Sequence, residues 1–399
     1  MSVDARALSG LKVVEFAHVI AGPLAGTLLA DLGADVVHVE DPEHGDPQRY
    51  AGPARDGIHL WWKVSARNKR SVTLNLRTED GRDLARKLAK WADVVICNFR
   101  VSTLERWQLD FPSLVKINPK LVMLQVTGFG VSSSKRNAPG FGKVGEAMSG
   151  VVNITGFPDG PPVHTGFSHG DSVTGLMGAF AIMSAIYRRN TDPDFRGEWI
   201  DLALYEGLYR LIEWQVIFYD QLGQNPTRIG NQLSASPAAV INTFHTADEQ
   251  WITVTSGTPR SVQNVAALVG EPLEDYATPA MQVARRERLD QLVREWVSEH
   301  TLAECIAEMG RLEVVASPIF TVEHMLDDQT FRENGNVTEL DDPDLGRVRM
   351  QDVVPRFTNY AGKVWRTAPE LGEDNEAVYG RELGFSADEI AALQGTGTI

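Results

Sequence analysis

The sequence predicts an α/β protein: a large parallel sheet with helices on both faces, and a smaller α+β domain. Three observations predict it. Short apolar runs rich in β-branched residues alternate with helical patterns from residue 11 to 127, the pattern of βαβ units. The chain has 399 residues, more than one simple core organises, so two domains are expected. A linker-like stretch, GQNPTRIGNQLSASPA (223–238), then separates that alternation from a hairpin-and-helix pattern.

LKVVEF (11–16) is a strand of buried type, and AGPLAGTLLADLGA is a helix of small and apolar residues with Gly33 near its stop. DVVHVE (35–40) closes a βαβ unit, whose crossover should be right-handed. RSVTLNL is a further strand, EDGRDLARKLAKWA a helix, and DVVICNF and LVMLQVTGFG two more strands. Residues 139–170 are rich in Gly and Pro and should form loops around a site, with a short helix near GEAMSG. One of the most apolar helices of the chain follows, then a short strand and another helix in GEWIDLALYEG. INTFHTADEQWITVTS is a hairpin turning at Ala247-Asp248-Glu249, and two helical stretches are expected after it, ending near Met309. The tail holds a DDPDLG turn, short strands and a last helix, SADEIAALQ, opened by a capping box of Ser386 and Glu389. On linker and pattern grounds the expected small domain is 223–320, linker included, set between 1–222 and a tail of 321–399.

Lys and Arg number 38 against 53 Asp and Glu, a net charge of −15, which argues against nucleic acid and anionic membrane as main partners. The two cysteines, Cys97 and Cys305, stand apart in apolar contexts, which suits a reduced cytoplasm and no metal cluster. MSVDARALSG has no basic-plus-apolar signal pattern. The apolar run around 176–187 is too short to span a bilayer.

Several motifs compete for the chemistry. The first βα turn, AHVIAGPLAG, is followed by a strand ending in Glu40-Asp41, where a dinucleotide enzyme keeps its ribose-binding acid. It lacks the glycine fingerprint, and the literal G-x-G-x-x-G at Gly140, Gly142 and Gly145 follows a loop instead of a strand. His18 lies where the first strand meets its helix, a ligand-prone position in such sheets. RNKRS (67–71) is a basic knot, either a solvated turn or, with Arg106 nearby, a phosphate-binding group. GFSHG (166–170) is a literal G-x-S-x-G, so a serine hydrolase using Ser168, with His300 or His324, is one reading. Asp171, at the start of the apolar helix, is another candidate. It serves as a helix cap worth about 1 kcal/mol, or as a carboxylate nucleophile kept ionised by the helix N-terminus, with Gly170 leaving room for a thioester.

LSGLKVVEFAHVIAGPLAGTLLADLGADVVHVE, GDPQR, RNKRSVTLNLRTEDGRDL, ADVVICNFR, MSGVVNITGFPDGPPVHTGFSHGDSVTG, GEWIDLALYEG and APELGEDNEAV occur in order along nearly the whole chain. Together they resemble the class III CoA-transferases, the group of formyl-CoA transferase, carnitine CoA-transferase and the 2-methylacyl-CoA racemases. The resemblance implies a large Rossmann-like domain formed by both chain ends, a smaller α+β domain, and two chains interlocked as a homodimer. It implies Asp171 as the acyl-accepting nucleophile, passing through a mixed anhydride and an aspartyl-CoA thioester. It places His18, Asn68, Lys69, Arg70, Asn98, Phe99 and Arg106 in the CoA-binding part, with Lys69, Arg70 and Arg106 supplying charge for phosphates. The implied partners are an acyl-CoA and a carboxylic acid, with coenzyme A carried as substrate and no metal.

The chain also departs from those patterns. Ile20 stands where formyl-CoA transferase has glutamine and Asp41 where it has arginine, and IGNQLSASPA replaces a run of glycines; an oxalate-type acceptor is not expected. Where racemases carry GHD this chain has Phe141 and Gly142, neither able to exchange an α-proton, so transfer is expected over racemisation or epimerisation. Lys143 and Glu146 stand in the same loop, as selectors of an acidic acceptor or as a solvated ion pair. A serine esterase or thioesterase, and a CoA-binding protein without activity, are the remaining alternatives.

Overall fold

The computed structural model describes residues 6–399. The absence of a signal pattern was read partly from residues 1–5, which lie outside the described residues. Six strands form one parallel sheet: β1 (Lys12–Phe16), β2 (Asp35–Glu40), β3 (Arg70–Thr73), β4 (Val94–Cys97), β5 (Val122–Thr127) and β6 (Glu198–Ala203). Their spatial order is 3-2-1-4-5-6, so the winding reverses between β1 and β4. Runs such as VVIC and VMLQVT are wholly buried, as strands covered on both faces must be.

The helices that matter for the site are α1 (Ala21–Asp31), α2 (Glu79–Trp91), α3 (Val101–Trp107), α4 (Gly142–Met148) and α5 (His169–Thr191). α2 shows how local sequence sets an element. The Thr78 hydroxyl accepts the Gly81 N–H at 3.1 Å, Glu79 and Asp80 occupy the first turn, and Leu84, Ala85, Leu88 and Ala89 form the buried stripe. α5 lies directly on α1. A Cβ at Gly175 would stand 2.9 Å from the Ala21 carbonyl oxygen and 2.9 Å from Leu24 Cβ, so only glycine permits that approach. The opposite face of α5 exposes Leu176, Phe180 and Tyr187.

Two compact units emerge. One holds residues up to Val151, His164–Ile217 and Arg332–Ile399; the other holds Val152–Val163 and Phe218–Phe331. In the first, the chain end returns to β3: Tyr379 Oη donates to the Thr73 carbonyl at 2.7 Å, and Thr73 N–H donates to Asn375 Oδ1 at 2.9 Å. Ser386 and Glu389 form the expected capping box. The second unit carries the expected hairpin, β7 (Ile241–His245) and β8 (Trp251–Thr255), joined by β9 (Ala316–Pro318). Between β8 and β9 it has three α-helices where two stretches were expected: α6 (Pro259–Leu268), α7 (Pro279–Ser298) and α8 (Leu302–Arg311). Thr258, Thr278 and Thr301 each cap a new start, two of them followed by Pro at the first helical position. Among the described residues no helix is long and apolar enough to cross a membrane.

Candidate active site

Asp171 is the third residue of α5, whose N-cap is Ser168. Its carboxyl is pushed up to about 6, chiefly by burial and then by the negative charge of Glu146, with Lys143 and its own N–H opposing. Asp171 is the acid of the first turn and takes its own N–H, while the Gly170 N–H donates to Glu146 Oε1 at 3.1 Å. Gly170 does not open space for a thioester either. A Cβ there would stand 2.6 Å from the Gly142 carbonyl oxygen, because α4 fills that side. The glycine that makes room for the nucleophile is Gly142, where a Cβ would fall 2.0 Å from Asp171 Oδ2.

Lys143 and Glu146 are not a solvated pair. The Glu146 side chain is 1% exposed and accepts from Lys143 Nζ at 3.0 Å and from His164 Nδ1 at 2.6 Å. Lys143 also donates to the carbonyls of Thr165 and Phe167, each at 3.0 Å. Its three donors are thereby saturated, and it staples the 165–167 loop to α4. An open groove of about 650 Å³ lies there, lined by Trp61, Lys143, Thr165, Phe167, Ser168 and Ser172. Beside it a cleft of about 190 Å³ runs over Val19, Ile20, Leu24 and Leu28 to Trp61 and Ser172.

Ser168 does not sit on a nucleophile elbow, since residues 161–167 form no strand. The histidines considered for it are engaged at helix ends. His300 Nδ1 bonds the Trp296 carbonyl at 2.6 Å with its ring stacked on Trp296. His324 Nδ1 accepts the Thr321 N–H at 3.2 Å.

The residues of the implied CoA set separate into two groups. His18, Asn98 and Phe99 meet at the carboxyl ends of β1 and β4, where the winding reverses. His18 N–H donates to Asn98 Oδ1 at 3.0 Å, Asn98 Nδ2 donates back to the His18 carbonyl at 2.7 Å, and the His18 ring meets Phe99 edge-on at 5.2 Å. Burial lowers the His18 pKa, against the carboxylate of Asp46. His18 and Phe99 line a cleft of about 310 Å³ whose other walls include Asp41, Leu74, Leu76, Arg77 and Trp107. Arg106 is exposed on α3.

The basic knot goes inward instead. Lys69 is fully buried and donates to both Glu15 oxygens at 2.9 Å and to the Pro23 carbonyl at 2.6 Å. Asn68 donates to Asp31 Oδ1 at 2.7 Å. Arg70 pairs with Asp35 at 2.5 Å and lies over the Trp91 ring. In this structure Asn68, Lys69 and Arg70 serve the core and its edge, away from the cleft that His18 and Phe99 line. Leu74, Leu76 and Arg77 were not singled out from sequence. Their signal was available: they directly follow β3, and residues past the carboxyl ends of parallel strands face the ligand crevice.

Glu15 also accepts from His38 Nδ1 at 2.7 Å, while His38 Nε2 meets Asp46 at 3.1 Å. Burial opposes charge on this imidazole, but Asp46 and Glu15 outweigh it and carry its pKa to about 9. Asp46, held down to about 2 with His38 as the main cause against burial, accepts the Val19 N–H with both oxygens at 3.1 Å. Val19 has φ +70°, an outlier for a β-branched residue, so this buried network fixes the turn between β1 and α1. Among the described residues no three His, Cys, Asp or Glu side chains gather as a metal site.

The family description CoA-transferase family III matches residues 8–375. The chain is 37% identical over 395 residues to the succinyl-CoA–D-citramalate CoA-transferase of Chloroflexus aurantiacus, covering 98% of this chain and 97% of that one. It is 30% identical to the formyl-CoA:oxalate CoA-transferase of Streptomyces coelicolor, covering all of both. A crystal structure of a CAIB/BAIF family protein from Brucella suis superposes with a TM-score of 0.82 at 34% identity, covering 95% of this chain and 100% of that one.

Proposed function

The chain belongs to CoA-transferase family III, and from that premise we propose that it moves CoA from an acyl-CoA to a carboxylic acid through Asp171. The observation that carries this reading is the Asp171 carboxylate itself, seated against Gly142 at the start of α5 beside an open groove. An Asp171 oxygen attacks the thioester carbonyl; the C–S bond breaks, a mixed anhydride forms and CoA thiolate leaves. The thiolate attacks the Asp171 carbonyl of the anhydride, giving an aspartyl-CoA thioester and releasing the first acid. The second acid attacks that thioester, and the returning thiolate takes its acyl group and frees Asp171. No net proton is exchanged, and the thioester energy is kept in covalent intermediates, so neither ATP nor metal is required.

CoA reaches Asp171 from the switch-point cleft, with His18 and Phe99 of its wall beside the nucleotide end, Asn98 holding His18, and Arg77 of the wall and the exposed Arg106 of α3 meeting the phosphates. The acyl chain takes the cleft of Val19, Ile20, Leu24 and Trp61. Succinyl-CoA is the donor to try first, since relatives bear that name. With Ile20 and Asp41 at two positions where formyl-CoA transferase has glutamine and arginine, the acceptor is an acid other than oxalate. The working form is an interlocked homodimer whose large unit is Rossmann-like and built from both chain ends; the exposed Leu176, Phe180 and Tyr187 face of α5 suits burial by a second copy. The free, buried Cys97 and Cys305 suit the cytoplasm. The test is a transfer assay with succinyl-CoA and a panel of small acids. Turnover in the wild type that is absent in Asp171→Ala supports the reading; turnover that persists in Asp171→Ala contradicts it.

A further inference from the structure

Glu146 is a buried carboxylate that the proposed mechanism does not use. Four polar contacts converge on it: Lys143 Nζ at 3.1 and 3.0 Å, His164 Nδ1 at 2.6 Å and the Gly170 N–H at 3.1 Å. These donors come from α4, from the loop before α5 and from the first turn of α5. We propose that Glu146 is a positioning residue for the reaction at Asp171: its carboxylate ties the first turn of α5 to α4 and places a fixed negative charge beside the nucleophile. The inference rests on Asp171 being that nucleophile.

Two observations support it. First, the anchoring is specific to the turn that carries Asp171. Gly170, the residue before it, is the one whose N–H reaches Glu146, and α4 approaches closely enough that neither Gly142 nor Gly170 has room for a side chain. Second, the charge is stable. Burial opposes ionisation of Glu146, but His164, the Gly170 N–H and Lys143 outweigh it and hold the group below the usual carboxylate range. A like charge so placed keeps Asp171 more basic than an ordinary aspartate, while Lys143 limits the effect.

Other titratable groups lie nearby. His169, on α5, packs its ring against Phe167, and its buried Nδ1 has no hydrogen-bond partner among the described residues. Glu206 accepts the Ala203 N–H at 2.7 Å. Asp201 of β6 accepts the Val131 N–H. α1 meets this part of α5 through Ala21 and Leu24.

The experiment measures the rate of covalent adduct formation with succinyl-CoA against pH, by intact-protein mass spectrometry, in the wild type, Glu146→Gln and Lys143→Gln. Glu146→Gln keeps an acceptor for the Gly170 N–H but removes the charge, so the acid limb should move to lower pH by about half to one unit. Lys143→Gln removes the opposing charge from a half-exposed side chain, so its acid limb should move to higher pH. Opposite shifts support the inference, because a purely structural role would lower rates in both variants without opposed movement. Limbs that stay in place, or move the same way, overturn it. If Glu146→Gln does not fold, the direction of the Lys143→Gln shift decides alone. Asp171→Ala is run alongside: an adduct that survives in it overturns the nucleophile reading itself, whereas an adduct lost there with unmoved limbs in the other two overturns only the role of Glu146.

Discussion

Gly142 and Asp171 fit together as a socket and its occupant: a Cβ at Gly142 would stand 2.0 Å from Asp171 Oδ2. That distance is closer than any real contact, so a side chain at 142 must displace the carboxylate. Gly142→Ala should cut adduct formation by about 100-fold, the scale expected when a reacting group is misplaced by about an ångström. Single-turnover kinetics with an acyl-CoA checks it, with thermal unfolding showing that the fold survives.

The raised pKa of Asp171 predicts the pH dependence of the reaction. The carboxylate must be ionised to attack, and its pKa is about 6. The rate of adduct formation should therefore be on a plateau above pH ~7 and fall about tenfold per unit well below 6. A stopped pH series on the wild type reads this directly.

The same shift has a consequence for stability. A carboxyl whose pKa is raised in the folded state binds its proton more tightly than in the unfolded chain, so its ionised form opposes folding above about pH 6. Asp171→Asn removes that charge. It should stabilise the protein at pH 8 by about 1–2 kcal/mol, with the gain fading as pH falls from about 6 towards the unfolded value near 4 and absent below it. Urea unfolding of the two proteins at both pH values is the check.

The buried Glu15–His38–Asp46 network predicts the opposite sign. His38 has its folded pKa raised to about 9, so its contribution is fully present below its unfolded value near 6.5 and is lost as pH rises through 9. Asp46, lowered to about 2, contributes above its unfolded value near 4, and that part is lost as pH falls through 2. His38→Ala should cost about 3 kcal/mol near neutral pH, because it leaves buried Asp46 without its cationic partner, while Lys69 still holds Glu15. Denaturant melts across the pH range test both limbs.

The basic residues should separate by phenotype. Arg77→Ala and Arg106→Ala should raise the KM for acyl-CoA several-fold with little change in Tm. Lys69→Ala should lower Tm sharply, since it empties a fully buried site and leaves Glu15 with His38 as its cationic partner.

That separation also shows where sequence reasoning ran out. VVEF, DVVHVE and VVIC announce buried parallel strands by composition alone, and Thr78 and Ser386 announce helix starts by local chemistry. These are short-range signals. The fate of Lys69 is not, because Glu15 is 54 residues away and only the β1–β2–β3 packing brings them together. For the same reason RNKRS read as a surface knot. Asp171 was legible as a charged group at the door of an apolar helix, but its partners were not. Gly142 reaches it through helix packing, and the neighbouring Gly170 N–H is taken by Glu146, 24 residues away. Between β8 and β9 three helices stand where two stretches were expected, because a short Thr-capped break separates α7 from α8.

The central claim is that Asp171 becomes covalently bonded during transfer. The most direct measurement is intact-protein mass spectrometry after mixing the protein with succinyl-CoA and related acyl-CoAs, with Asp171→Ala and Ser168→Ala in parallel. The account predicts a CoA- or acyl-sized adduct that survives Ser168→Ala and disappears in Asp171→Ala. An adduct that persists without Asp171, or that depends on Ser168 instead, would contradict it.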